Sequence, residues 1–413
     1  VQWLSNLKLR GSWGQIGNDK IGNDKYRALA NISPSYDAVF GGVFYPGGTI
    51  TSLSNRSVHW ERSEQMDLGF DLGLLNNRFS LELDYYRRDT KDMLVTVDVP
   101  ASVGLTPVET NVGAVRNSGV DFTVKWEDSL KDFRYGIRLT GTTIKNEVIS
   151  LGGKRIASGD IGAGKSVQMT EEGKPIKYFY GYNVIGIFQN EAQIKDYNER
   201  AAAATGNAGQ QYQNNVGPGD LIYEDVDGDG YITANDRKDL GSPTPKFIGG
   251  LGISASWKGF DLSMVWAGAA GFSIYWGATT GYNAASTEWG STIAQRVAEN
   301  HYFYNPENPD DPRTNINAKY PRMAYIDGYV QNRHGNTTLW LYKGDYIKLK
   351  NLSLGYTLPK NWVSKIAMQN ARVYVSAENL LTITGFEGQD PESATGMGYS
   401  PFRTIAIGAN ITF

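Results

Sequence analysis

Four carboxylates between Asp225 and Asp236 are spaced as a metal-binding loop spaces them. Asp225, Asp227 and Asp229 take positions 1, 3 and 5, and Gly230 follows where such a loop turns sharply. Tyr231 stands at position 7, Thr233 at 9 and Asp236 at 12. This is the spacing of a calcium loop, in which side-chain oxygens and one backbone carbonyl, here that of Tyr231, converge on a point. Carboxylates this close repel one another unless a divalent cation compensates. The pattern therefore predicts Ca2+ held in a structural role by Asp225, Asp227, Asp229, Tyr231, Thr233 and Asp236. Position 12 departs from the usual bidentate Glu. The plain alternative is an acidic turn stiffened by its own Asx hydrogen bonds.

Two other stretches invite a chemical reading. Gly159 to Ser166, with Gly164 and Lys165, satisfies the phosphate-binding pattern G-x4-G-K-S letter by letter. That motif needs a buried parallel strand before it and a helix after it, whereas Gly173 and Pro175 follow closely and no βαβ pattern surrounds it. A Gly-rich surface loop is the better reading. Residues 271–344 are dense in aromatics, and Tyr275, Trp276, Tyr282 and Trp289 are the candidates for contact with a ligand or partner. Rings of this kind stack on sugars, pack peptides and anchor interfaces, and they also pack on one another. No nucleophile elbow, His-centred triad or distinct carboxylate pair stands out, so no enzyme activity is expected.

Composition narrows what positions these residues. The chain has 413 residues with Lys+Arg 40 and Asp+Glu 43, a net charge of −3, which argues against nucleic acid as a partner. It lacks Cys, which removes thiolate sites and disulfides. Mean hydropathy is −0.40, and no apolar run approaches the ~18 residues of a membrane-spanning helix. The opening residues, VQWLSNLKLRGSWG, lack a signal-peptide pattern and read as a mature or truncated start.

The dominant pattern is alternation with period two, the mark of a strand with one apolar and one polar face. Met66, Leu68, Phe70, Leu72 and Leu74 alternate with Asp67, Gly69, Asp71 and Gly73, and Phe79, Leu81, Leu83 and Tyr85 with Ser80, Glu82 and Asp84. Val120 to Trp126, Phe133 to Leu139, Phe247 to Trp257, Phe260 to Trp266 and Ile405 to Phe413 repeat the rule. Further strands are expected near 5–16, 345–358 and 370–384, with a β-bulge near Lys350 and Asn351. Short helices are expected at 191–204 and 361–369.

Connection lengths choose between a soluble sandwich and a membrane barrel. Connections 76–77, 127–132, 257–260 and 359–369 are short; 17–60, 91–112, 147–245, 271–344 and 385–401 are long, and the two kinds alternate strictly. Most strands also match the ~9 to 11 residues that cross a bilayer at a tilt. The expected fold is all-β: about ten long strands of a transmembrane antiparallel β-barrel, with short periplasmic turns and long extracellular loops. Lipid would meet the apolar faces. Asp67, Asp71, Glu82, Asp84, Asp121, Lys125, Arg134, Arg138 and Asp261 would point inward.

WERSEQMDLGFDLGLLNNRFSLELDYYRRDTKDML, NVGAVRNSGVDFTVKW, YGYNVIGIFQNEAQI, DLIYEDVDGDGYITANDRKDLGSPTPKFIGGLG, DYIKLKNLSLGYTLP and VYVSAENLLTITGFEGQDPE resemble, in order and spacing, the C-terminal half of SusC/RagA-type TonB-dependent outer-membrane transporters. The resemblance implies a 22-stranded barrel whose plug domain and N-terminal strands lie outside this sequence. It also implies energy coupling through the TonB complex, a SusD-type surface lipoprotein capping the barrel, and an oligosaccharide or peptide cargo. Other readings are a barrel of these ten strands alone, a passive porin or surface receptor, and a secreted calcium-binding β-sandwich enzyme or adhesin.

Overall fold

Strands form where the two-residue alternation is sustained, and among the described residues ten of them are long: β1 (Leu4–Asn18), β2 (Glu61–Leu74), β3 (Phe79–Val97), β4 (Val108–Leu130), β5 (Phe133–Thr143), β6 (Phe247–Trp257), β7 (Phe260–Ala270), β8 (Tyr346–Thr357), β9 (Asn370–Thr384) and β10 (Thr404–Thr412). The computed structural model describes residues 3–19, 28–30, 32–97, 101–160, 166–276, 295–323, 336–366, 368–392 and 401–413. The chain divides into two units. One comprises 1–156, 170–176 and 247–258; the other comprises 157–169, 177–246 and 259–413.

In the first unit β1 to β6 pair successively and antiparallel. The register sets Leu7, Leu72, Leu81, Val124, Leu139 and Leu251 side by side in one row. On the other face Arg10, Gly69, Asp84, Asp121 and Thr142 form a row, with Lys8, Asp71, Glu82, Thr123 and Thr140 beside it. In the second unit β7 to β10 pair likewise, aligning Leu262, Leu354, Val375 and Ile407. The polar face there carries the row Asp261, Gly355, Tyr374 and Gly408. A one-residue slip would exchange the faces, so these rows bear out the expected division of the strand residues into one apolar and one polar face.

The apolar faces do not build a protein core. Four hydrophobic clusters occur among the described residues, and none contains a member of the apolar strand rows. Leu9 is 80% exposed and Ile407 84% exposed, in register with other apolar side chains. A sandwich would cover them. No helix among the described residues is long and apolar enough to cross a membrane, which leaves crossing by strands untouched.

Three strand ends differ from the pattern-based expectation. β3 runs on to Val97 and β4 starts at Val108, shortening the 91–112 connection. Register shifts at Thr90/Met93 and Met93/Leu94 break the alternation there, so the phase is lost while pairing continues. At its other end β4 reaches Leu130, leaving a turn at Lys131 and Asp132. The bulge lies where expected, between Leu349 and Asn351.

The long connections carry their own small cores. Helix α1 (Glu191–Thr205) is capped by the Asn190 side chain, which accepts from the Gln193 N–H at 2.9 Å, and ends at Gly206 in a left-handed conformation. Its buried Ile194 and Ala201 pack with Phe188, Tyr212 and Ile222. At 361–369 the expected helix is one turn, Lys360–Val363, continued by a 3-10 turn over Ser364–Ile366.

Candidate functional site

The polar strand face is held by charge pairs that reach across an intervening strand. Arg10 on β1 lies 2.7 Å from Asp71 on β2 and 2.7 Å from Asp84 on β3. Gly69 stands between Arg10 and Asp84 in the row, and a Cβ there would collide with the Asp84 carboxylate. The second unit repeats the device. Arg372 on β9 reaches Asp261 on β7 at 2.9 and 2.5 Å, across Gly355 of β8, whose absent side chain leaves room for the guanidinium. Glycine in the middle strand thus lets charges two strands apart meet, giving a polar wall of mixed sign. Beside Arg10, a depression of about 360 Å³ is lined by Glu82, Asp84 and Asp121 with Thr123, Thr140 and Thr142.

The acidic loop brings three of its carboxylates together. Carboxylate oxygens of Asp225, Asp227 and Asp229 lie within 4.8 Å of one another. Asp225 accepts from the Gly228 and Gly230 N–H groups at 2.7 and 2.9 Å, Asp227 from Asp229 N–H at 3.2 Å, and Asp229 from Tyr231 N–H at 3.1 Å. Gly230 has φ +91°, and a Cβ there would meet Ala204 of α1 at 2.6 Å, so both conformation and packing demand glycine. Tyr231 and Ile232 pack against the α1 cluster. Loss of hydration, with the charges of Asp236, Asp229 and Asp225, pushes the Asp227 carboxyl above its ordinary range.

Asp236 and Thr233 are arranged differently from the other four. Asp236 is buried and accepts from the Val226 and Thr233 N–H groups at 2.8 and 2.6 Å. The Thr233 hydroxyl accepts from Asn235 N–H at 3.0 Å, capping the 3-10 turn Ala234–Asp236. Three converging carboxylates, whose oxygens keep acceptor capacity beyond their single amide bonds, fit a hard dication.

Of the aromatic candidates, Tyr275 packs against Val297, Tyr320 and Trp340. Trp276 packs against Ile274, Tyr342 and Phe386, and the Arg296 guanidinium lies 3.6 Å from its ring centroid. Tyr282 and Trp289, like Gly164 and Lys165, lie outside the described residues.

Sequence reasoning missed a buried charge cluster. Lys348 at the start of β8 has a side chain only 1% exposed, and its Nζ lies 2.5 and 2.6 Å from the two Asp390 oxygens and 2.8 Å from Glu392. Lys350 adds a second contact to Glu392 at 2.5 Å. Burial pushes Glu392 up, but hydrogen bonds from Lys348, Lys350 and Tyr346 outweigh it and hold the carboxyl down to about 2. Asp220, wholly buried, likewise takes a two-pronged bond from Arg322, both arms at 3.0 Å. Partners so far apart in the chain leave no local signal.

Comparison with known proteins agrees with this architecture. A sequence model described as "TonB dependent receptor-like, beta-barrel" matches residues 1–380. The chain belongs to this family of TonB-dependent receptors. It is similar to TonB-dependent receptor P3 of Formosa agariphila, 31% identical over 99% of this chain and 40% of that protein. TonB-dependent receptor SusC of Bacteroides thetaiotaomicron is 24% identical over 100% of this chain and 38% of its own length. Among solved structures, the RagAB peptide transporter matches with TM-score 0.72 and 25% identity, covering 100% of this chain and 41% of that one. The chain thus spans about 40% of the length of each of these proteins. Its strands are part of the TonB-dependent receptor barrel fold, and the family is one of receptors and transporters.

Proposed function

We propose that this chain is the C-terminal barrel portion of an energy-coupled importer that carries an oligosaccharide or peptide across the outer membrane. The observation that carries this reading is the two-faced sheet: apolar rows left uncovered by every hydrophobic cluster described, backed by a polar face knitted by Arg10 and Arg372. Acyl chains are the solvent that suits the first face, and a wet lumen suits the second. On this reading the long connections lie at the outer surface, a SusD-type lipoprotein caps them, and a plug and TonB-contacting segment are supplied by sequence outside this chain. The membrane form is a multi-pass β-barrel.

The acidic loop has a structural part in this proposal. Asp225, Asp227 and Asp229, with the Tyr231 carbonyl, would hold Ca2+ and tie the 225–236 segment to α1, while Asp236 and Thr233 brace the loop through backbone amides. Calorimetry with calcium chloride on the full-length receptor should record uptake that Asp227→Ala abolishes; identical traces from the two proteins would remove calcium from the account.

Import is tested by uptake of labelled maltooligosaccharides and peptides into cells carrying the full-length receptor, with and without an uncoupler. Uptake that stops when the proton gradient collapses is the expected result. Undiminished uptake would assign a passive pore.

A further inference from the structure

The 271–344 and 147–245 connections meet around a cavity of about 880 Å³, at the upper end of the size range of small-ligand sites. Pro218, Phe303, Tyr304, Pro306 and Met323 give it apolar walls, and the first turn of α1 forms one side. We propose that this cavity binds a short peptide segment, with an apolar side chain against its apolar wall and a cationic residue of the same peptide beside it. The inference rests on the import reading and names the cargo chemistry that one part of the entrance would take.

Two observations select this ligand. The first is that most polar groups in the wall are already engaged. Gln189 donates its amide to the Ile187 carbonyl at 2.9 Å, the Asn190 side chain caps α1, and the Tyr302 hydroxyl donates to the Gln189 carbonyl at 2.7 Å. Arg322 is neutralised by buried Asp220, and the His301 Nδ1 lies 2.8 Å from the Ala298 carbonyl. A sugar ring would need several free side-chain hydrogen bonds and open ring faces. Here the Arg313 guanidinium sits 4.7 Å from the Phe303 centroid and Tyr302 is buried, so Tyr304, 41% exposed, is the ring left open among these three.

The second observation is the charge balance. With Arg322 matched by Asp220, the Glu191 carboxylate remains as the exposed charge on the wall, with no ion partner among the described residues. An apolar enclosure beside one free carboxylate complements an apolar side chain flanked by Lys or Arg.

Isothermal titration of the detergent-solubilised full-length receptor with acetyl-Lys-Phe-Ala-amide tests this directly. Tyr304→Ala should weaken binding about tenfold, as expected for losing most of one aromatic contact. Glu191→Gln should weaken the Lys peptide about fivefold and leave acetyl-Ala-Phe-Ala-amide unchanged. Both side chains are exposed, and the Ala-Phe-Ala peptide reports that the Gln variant is intact. Absence of peptide binding by the unsubstituted receptor, equal binding by all three proteins, or binding of maltotriose that Tyr304→Ala weakens would each overturn the proposal. Titration in detergent needs no energy source. Peptide binding without uncoupler-sensitive uptake would therefore sink the import reading alone, and uptake without peptide binding would sink this site alone.

Discussion

Replacing Lys348 with methionine should loosen the segment that follows β9 far more than the same change at Lys350. The Lys348 ammonium is sealed from water and contacts both Asp390 oxygens and Glu392. Without it the buried Asp390 carboxylate keeps, among the described residues, only the Glu392 N–H at 2.8 Å. Breaking a buried pair from one side costs about 3 to 5 kcal/mol, because the remaining charge is stranded. Lys350, with a side chain 32% exposed, contacts Glu392 alone, which retains Lys348 and Tyr346; its loss should cost about 0 to 1 kcal/mol. Hydrogen exchange read by mass spectrometry over 385–392 in the full-length receptor separates the two. At about 1.4 kcal/mol per tenfold, Lys348→Met should speed exchange by roughly two to four orders of magnitude and Lys350→Met by less than about tenfold. Lys348→Met with Asp390→Leu should recover much of the protection, since no charge is then stranded. Equal effects of the two single substitutions, or no rescue by the double one, would refute the reasoning.

Other expectations are narrower. Glu392 is held down to about 2 from an ordinary 4.5, so its contribution to stability is full above pH about 4.5 and is lost as the pH falls from there to about 2; the same 385–392 amides should lose protection across that window and not between pH 5 and 8. Ile407→Arg places a charge on the exposed apolar row at a cost of about 2 to 4 kcal/mol if that row lies at mid-bilayer, whereas Thr404→Arg on the other face should be tolerated; equal yields of assembled receptor in the outer membrane would reverse the face assignment. Gly355→Val should push the Arg372 guanidinium off Asp261 and destabilise by about 1 to 3 kcal/mol, read as a lower unfolding midpoint in detergent, while Gly385→Val, where a Cβ meets nothing within 4 Å, should change little.

How much was legible in advance follows from how far each determinant reaches along the chain. The ten strands and their two faces were readable because alternation is local: Leu81, Leu83 and Tyr85 declare a face without reference to any other strand. The strand ends at Val97 and Val108 were not, because bulges at Thr90 to Leu94 scramble the alternation while cross-strand hydrogen bonds continue. The acidic loop was legible in part. Spacing anticipated the convergence of Asp225, Asp227 and Asp229, but not that Asp236 and Thr233 would turn to backbone amides. Tyr275 and Trp276 were singled out by composition alone, which cannot tell an open ring from one packed under Arg296 and Phe386.

By itself, then, the sequence determined what repeats at short range: period-two faces, and the carboxylate and glycine spacing of residues 225–236. Tertiary structure alone decided the pairings over long chain separations. These include Arg10 reaching Asp84 across Gly69, Lys348 closing on Asp390, and Asp220 neutralising Arg322 so that Glu191 is left as the exposed charge of the cavity. The physical reason is that a side chain's type fixes which contacts it can make, whereas register and folding of the loops fix which partner arrives within about 3 Å, where a hydrogen-bonded charge pair gains its energy.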